Sequence, residues 1–85
     1  MVKNKKEYYA IYTPNDLYLR GFESLKEVGD FLGYKRPEYL SRTIFNFKDK
    51  VKIETVFENI LYTSTLLWIS PNEYKVYKFS EEEVE

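Results

Sequence analysis

The chain contains no cysteine and no histidine, and it is poor in glycine, proline, methionine and tryptophan: three Gly, three Pro, one Met and one Trp in 85 residues. Without Cys there is no disulfide and no thiolate nucleophile, a composition that fits a reducing compartment. Without His the chain lacks the usual general base near neutral pH and the commonest metal ligand. It has no glycine-rich phosphate loop. No apolar run approaches the roughly 18 residues that a membrane-spanning helix needs. The opening MVKNKKEYYAIY is too polar for a secretory leader. The absences together lead us to expect a protein of the cytoplasm that is not an enzyme, carries no cofactor or metal and does not engage a membrane.

What the chain has instead is aromatic. Nine Tyr, six Phe and the Trp make 19% of the residues, and 44% are apolar, which places the chain among globular proteins. A domain of this length buries only about 60% of its unfolded surface, so one domain over residues 1–85 is expected, with a homodimer as a possible partner arrangement. Residues 1–6 and 80–85 read as frayed ends. Net charge is −1, but it is unevenly spread. Residues 35–52 hold six cations (Lys35, Arg36, Arg42, Lys48, Lys50 and Lys52) against Glu38 and Asp49, a local excess of four. The last six residues, SEEEVE, hold four acids and no base. A local basic stripe is what a phosphate contact needs.

Taken in order, residues 7–13 alternate as a strand, with Tyr8, Ala10 and Tyr12 on one face and Tyr9 and Ile11 on the other. Pro14-Asn15-Asp16 is a turn, and residues 17–22 return as the second strand of a hairpin, with Gly21 as a candidate bulge or kink. Ser24 and Glu27 form the S-x-x-E capping box of a helix that Gly33 ends. Pro37 opens a second helix, with Leu40, Ile44 and Phe47 on its inner face. Its outer face carries Glu38, Ser41, Arg42 and Phe45, with Asn46 to one side. Ile53, Val56, Phe57, Ile60 and Leu61 repeat at i, i+3, i+4, i+7 and i+8, which predicts a third helix; two strands over 53–69 is the alternative. Residues 65–69 and 74–79 read as a second hairpin about Ser70-Pro71-Asn72-Glu73. The expected fold is α+β: an N-terminal β-hairpin, a helix-turn-helix-like pair, a third helix and a C-terminal β-hairpin, with one small antiparallel sheet.

Three groups of residues in this stretch also carry a resemblance: Leu25-Lys26-Glu27-Val28-Gly29, then Leu32-Gly33-Tyr34, then Leu40-Ser41 with Ile44. They resemble a helix-turn-helix, and more narrowly the small modular DNA-binding repeats found beside homing nucleases (NUMOD1-like). They are also similar to short proteins of Gram-positive phages that place a Tyr-rich hairpin before such a unit. The similarity covers roughly a quarter of the chain. It departs in the second helix, where Leu40 falls about one residue late and shifts the outward side chains. The resemblance implies a phage or mobile-element DNA-binding protein whose second helix enters the major groove, with Ser41, Arg42 and Asn46 nearest the bases. Lys35, Arg36, Lys48 and Lys50 would then lie on phosphate.

A second reading stands beside DNA binding. Near-neutral charge, an acidic tail, many tyrosines and an outward Phe45 suit a module that binds a host protein. One such module is a phage inhibitor of a host defence system (anti-CRISPR-like) that occludes a nucleic-acid enzyme. Phe45 and Tyr39 are its candidate interface residues. A homodimer through residues 53–61 or an edge strand is compatible with either reading. The paired acids Glu27 with Asp30 and Glu54 with Glu58 read as solvated helix faces. Tyr8, Tyr9, Tyr12, Tyr18, Tyr74 and Tyr77 read as sheet core and cross-strand pairs, or as a base-stacking platform.

Overall fold

The computed structural model describes residues 5–84. Its centre is one antiparallel sheet of five strands, in the order β2-β1-β5-β4-β3. The strands are β1 (Lys5–Tyr12), β2 (Tyr18–Phe22), β3 (Val51–Phe57), β4 (Ile60–Ile69) and β5 (Lys75–Glu83). Two helices, α1 (Leu25–Leu32) and α2 (Pro37–Asn46), lie between β2 and β3 in the chain and pack on one side of the sheet.

Hydroxyl-Pro-Asn-acid segments build two of the three hairpin turns. In residues 13–17 the Asp16 amide donates to the Thr13 carbonyl (2.9 Å) and the Leu17 amide to Thr13 Oγ1 (3.1 Å). In residues 70–74 the Glu73 amide donates to the Ser70 carbonyl (2.8 Å) and the Tyr74 amide to Ser70 Oγ (3.0 Å). Asp16 and Glu73 take the same left-handed backbone, φ 64° and 66°. Both turns lie at one end of the sheet, where Lys75 donates to Asp16 and its pKa rises through that bond.

Helix α1 starts on a complete capping box. Ser24 Oγ accepts from the Glu27 amide (3.3 Å), and Glu27 Oε2 accepts from the amides of Ser24 (3.2 Å) and Glu23 (2.8 Å). It ends at Gly33, φ 87°, where the Gly33 and Tyr34 amides donate to Asp30 and Gly29 carbonyls. Helix α2 has no side-chain cap at its start. At its end, Lys50 Nζ donates to the carbonyls of Ile44 and, at 2.6 Å, Phe47, supplying the cation a helix C-terminus favours. The helices cover Ile11, Phe22, Trp68 and Val76 with Val28, Leu40 and Ile44, and this is the core. Tyr34 meets the Trp68 ring edge-on at 6.1 Å. A bulge between Leu66 and Trp68 brings Leu67 and Trp68 to that core.

The expected architecture is overturned: a helix-turn-helix-like pair with a third helix and two separate hairpins gives way to one five-stranded sheet with two short helices. Residues 53–61, expected as a third helix, are the end of β3, a two-residue turn and the start of β4. The turn residues Glu58 and Asn59 both have positive φ (50° and 64°), the backbone of a type I′ hairpin. Alternation along one strand places Ile53 and Phe57 on one side and Val56 on the other. The two-residue turn then shifts the phase, so that Ile60 joins the first side and Leu61 the second. Strand alternation plus that shift reproduces the 3-4-7-8 spacing of a helix.

The ends differ from expectation too. Residues 80–83, expected to fray, are strand: Ser80 to Glu82 pair with β1 on one side, and Ser80 to Glu83 with β4 on the other. Lys5 and Lys6 begin β1, while residues 1–4 and 85 lie outside the described residues. Gly21 is not a bulge; it pairs with Ala10, and the irregularity falls between Ile11 and Tyr12.

Candidate functional site

Helix α2 sorts its side chains as the spacing of its apolar residues requires. Leu40 and Ile44 are buried, while Glu38, Tyr39, Ser41, Arg42, Phe45 and Asn46 are exposed. Phe45 is the extreme case at 84% exposure. Ser41 and Arg42 lie one turn before it on the same face. Arg36, at the N-cap, sits over the Tyr39 ring at 5.9 Å from its centroid. Lys35 and Lys48 are exposed at the two ends of the helix. Among the described residues Lys35, Arg42 and Lys48 have no ion-pair partner. Eight of the nine residues singled out from the sequence therefore face solvent unengaged or lightly held around α2. The ninth, Lys50, is spent on the carbonyls that end the helix and stacks on Phe47 at 5.9 Å.

The two sides of the sheet differ in a way that local sequence does not announce. Partners in the register share a side. On the helix side the row Ile11, Val76 and Trp68 is covered. Beyond the reach of the helices that side turns mostly polar, with Lys5, Glu7, Lys52, Glu54, Thr63, Thr65, Lys78, Ser80 and Glu82, and with Leu61, around one shallow depression. Lys78 and Glu7 pair there at 2.6 Å. That hydrogen bond lowers the Glu7 carboxyl from its ordinary value and raises the Lys78 ammonium.

The opposite side carries no helix. Strand β1 presents Tyr8, Ala10 and Tyr12 there, and β5 presents Tyr77 and Phe79. Strand β4 adds Ile60, Tyr62, Ser64 and Leu66, and β3 adds Val51, Ile53, Thr55 and Phe57. The rings touch one another: Tyr8 stacks on Phe79 at 5.4 Å, Tyr77 stacks on Phe79 at 5.8 Å, and Tyr12 meets Tyr77 edge-on at 5.2 Å. Tyr18 leans across Gly21 to meet Tyr12 at 5.8 Å; a side chain at Gly21 would begin 2.7 Å from the Tyr18 hydroxyl. Burial beside Glu81 pushes the Tyr8 hydroxyl up from its ordinary pKa. Tyr9 and Tyr74, grouped with these tyrosines in the sequence, belong to the helix side and pack on the core.

Elsewhere, a groove of about 850 Å³ between α1 and β2 is lined by Arg20, Phe22, Glu23, Glu27, Asp30 and Phe31. Two of its charged groups are already engaged: Glu27 closes the capping box, and Arg20 lies over the Phe22 and Phe31 rings at 5.4 and 5.7 Å. Among the described residues no group of three or more acidic side chains is placed to hold a metal ion, and no helix is long and apolar enough to cross a membrane. No family model, curated protein or solved structure matches the chain.

Proposed function

We propose that this chain is a non-enzymatic binding protein that docks the outer face of α2 on an acidic protein surface, with Phe45 as the anchor. The observation that carries the reading is Phe45 itself. A phenylalanine left in water forgoes about 1.5–3 kcal/mol of burial, and this one shares its helix face with Ser41 and Arg42, one turn before it. Aromatic residues with arginine are the side chains that protein interfaces enrich at their centres. Arg42 beside it, with exposed Lys35 and Lys48 at the two ends of the helix, suits a partner that carries acids about an apolar pocket. If the partner is a nucleic-acid enzyme of a host defence system, a basic face argues for inhibition by steric cover rather than by imitation of nucleic acid.

Duplex DNA is the second reading, favoured by Lys35, Arg36, Arg42 and Lys48, exposed along and beside α2 as Ser41 and Asn46 are. The net charge of −1 and the engagement of Lys50 count against it. One experiment separates the two. Affinity capture in nuclease-treated host lysate, followed by titration of the purified partner, is run beside anisotropy titration of a mixed-sequence duplex. On the protein reading, Phe45→Ala weakens the purified partner by about 30-fold or more, the loss of a hot spot. Binding of the duplex alone, lost steeply with salt and indifferent to Phe45→Ala, sinks the protein reading.

A further inference from the structure

The helix-free side of the sheet is the largest feature that the α2 reading leaves unused. The comparison that matters is with the other side of the same strands. Where the helices fail to cover their side, β1, β3, β4 and β5 carry mostly Lys, Glu, Thr and Ser, with Val56 and Leu61 the apolar exceptions. On the helix-free side the same strands alternate to Tyr, Phe, Ile, Val and Leu. Val51, Ile53 and Phe57 are 53%, 61% and 62% exposed, and Tyr18 is 63% exposed. Such a surface is built to be covered, and the described residues hold nothing that covers it.

We infer that the cover is a second copy of this chain, joined face to face through the two uncovered sheets. Three observations select that occupant. The first is area. With Tyr8 and Tyr62 added to the four residues above, six large side chains of this side are between 39% and 63% exposed, with half-buried Tyr12, Tyr77 and Phe79 among them, a surface on the order of the several hundred Å² that each partner gives a stable interface. A monomer rarely leaves an apolar patch above about 300–600 Å² in water. The second is charge. The two middle rows of the patch, from Ala10 to Val51 and from Tyr8 to Ile53, hold no charged side chain. Charges stand only at its ends, with Lys75 at one and Lys6, Glu81 and Glu83 at the other. A patch with both signs at its rim and none at its centre can meet its own copy, as a two-fold interface requires. A nucleic-acid strand would need an excess of cations there. The third is shape. Pleated sheets stack face to face about 10 Å apart with interdigitated side chains. Ser64, small among Tyr8, Ile53, Tyr62 and Phe79, leaves a depression of about 130 Å³ open to a side chain of the other copy.

The dimer is a helix–sheet–sheet–helix sandwich. Its two α2 helices lie on opposite outer layers and face away from each other, so each copy keeps its Phe45 surface free. The inference does not depend on what α2 binds.

Sedimentation equilibrium from micromolar to millimolar protein tests it, read against the 10.3 kDa chain mass. The wild type is expected at twice that mass. Ile53→Lys and Tyr62→Lys, made separately, are each expected to raise the dimer dissociation constant by about 30-fold or more while keeping strand circular dichroism, and Phe45→Lys to leave it unchanged. Should both lysine variants misfold, intermolecular nuclear Overhauser effects between Tyr62 and Phe79 rings, in a mixture of labelled and unlabelled wild type, give the same reading. A wild type monomeric at millimolar concentration, a dimer that survives both lysine variants, or a labelled mixture with no such contacts overturns the inference.

Discussion

Gly29 and Gly33 sit four residues apart and act in opposite directions. Gly33 ends α1 at φ 87°, a backbone that costs an L side chain roughly 1–2 kcal/mol. No atom lies within 4 Å of where a side chain there would begin, so the cost of adding one is conformational alone. Gly29 is different: it is helical and buried where α1 meets α2. An added methyl would sit 3.6 Å from Leu40 Cδ2 and 3.8 Å from Tyr34 Cβ, which is ordinary contact. Alanine there loses no room and gains the roughly 0.8–1.0 kcal/mol by which it exceeds glycine in a helix. Scanning calorimetry should therefore give shifts of opposite sign. Gly29→Ala is expected to raise Tm and Gly33→Ala to lower it, each by about 4–8 °C for about 1 kcal/mol in a domain of this size. Equal signs for the pair would contradict the account of either position.

At the level of elements, the parts that were legible in the sequence are those whose ends are marked by chemistry. Ser24 and Glu27, Gly33 and Pro37 bound the two helices. Thr13-Pro14-Asn15-Asp16 and Ser70-Pro71-Asn72-Glu73 bound two hairpins. The turn between β3 and β4 carries Glu58-Asn59, with neither Gly nor Pro, so nothing interrupts the apolar spacing across it and the stretch reads as a helix. The same gap hid most of the uncovered sheet surface. Alternation placed Tyr8 with Tyr12 and Tyr77 with Phe79, but Ile53, Phe57, Ile60 and Tyr62 join them only once residues 51–66 are strands. Which side of a sheet stays bare is set by where the connecting helices land, and no local pattern records it. The outward set on α2 was legible because burial of Leu40 and Ile44 determines what must face away; the role of Lys50 was not, because it caps from beyond the helix. Glu58 at φ 50° is the weak point of the β3–β4 hairpin. Type I′ turns favour Asn-Gly at the two central positions. The double substitution Glu58→Asn with Asn59→Gly is expected to stabilise the fold by about 1 kcal/mol. Urea denaturation reads it as a higher midpoint at unchanged slope. An unchanged or lower midpoint would mean that the tertiary frame, not the turn, holds β3 against β4.

On the scale of the whole molecule, the order β2-β1-β5-β4-β3 makes the last strand in the chain the middle strand of the sheet. Strand β5 joins two hairpins that are otherwise separate: β1 with β2, and β3 with β4. The acids at its end are part of that join. Glu82 lies between Lys5 and Leu61, Glu81 between Lys6 and Tyr62, and Ser80 between Glu7 and Thr63. Charge and hydropathy mark these residues as a solvated tail, yet their backbone pairs on both sides. Their side chains split between the polar half of the helix side and the rim of the uncovered side, so neither demand requires them to be apolar. Removing residues 80–85 is therefore not the trimming of a frayed end. It unpairs the open ends of β1 and β4 together, at about 1 kcal/mol for each ladder hydrogen bond lost. An 85-residue domain has roughly 4–13 kcal/mol of stability in all. The truncated chain is expected to lose cooperative unfolding or to melt at least 10 °C lower, since about 1 kcal/mol moves Tm by about 4–8 °C. A control with Glu81, Glu82 and Glu83 changed together to Gln keeps the backbone pairing and is expected to melt within a few degrees of the wild type. If the truncation melts like the wild type, β5 does not hold the two hairpins together beyond Phe79. If the glutamine variant falls as far as the truncation, the carboxylates rather than the strand are what the sheet needs.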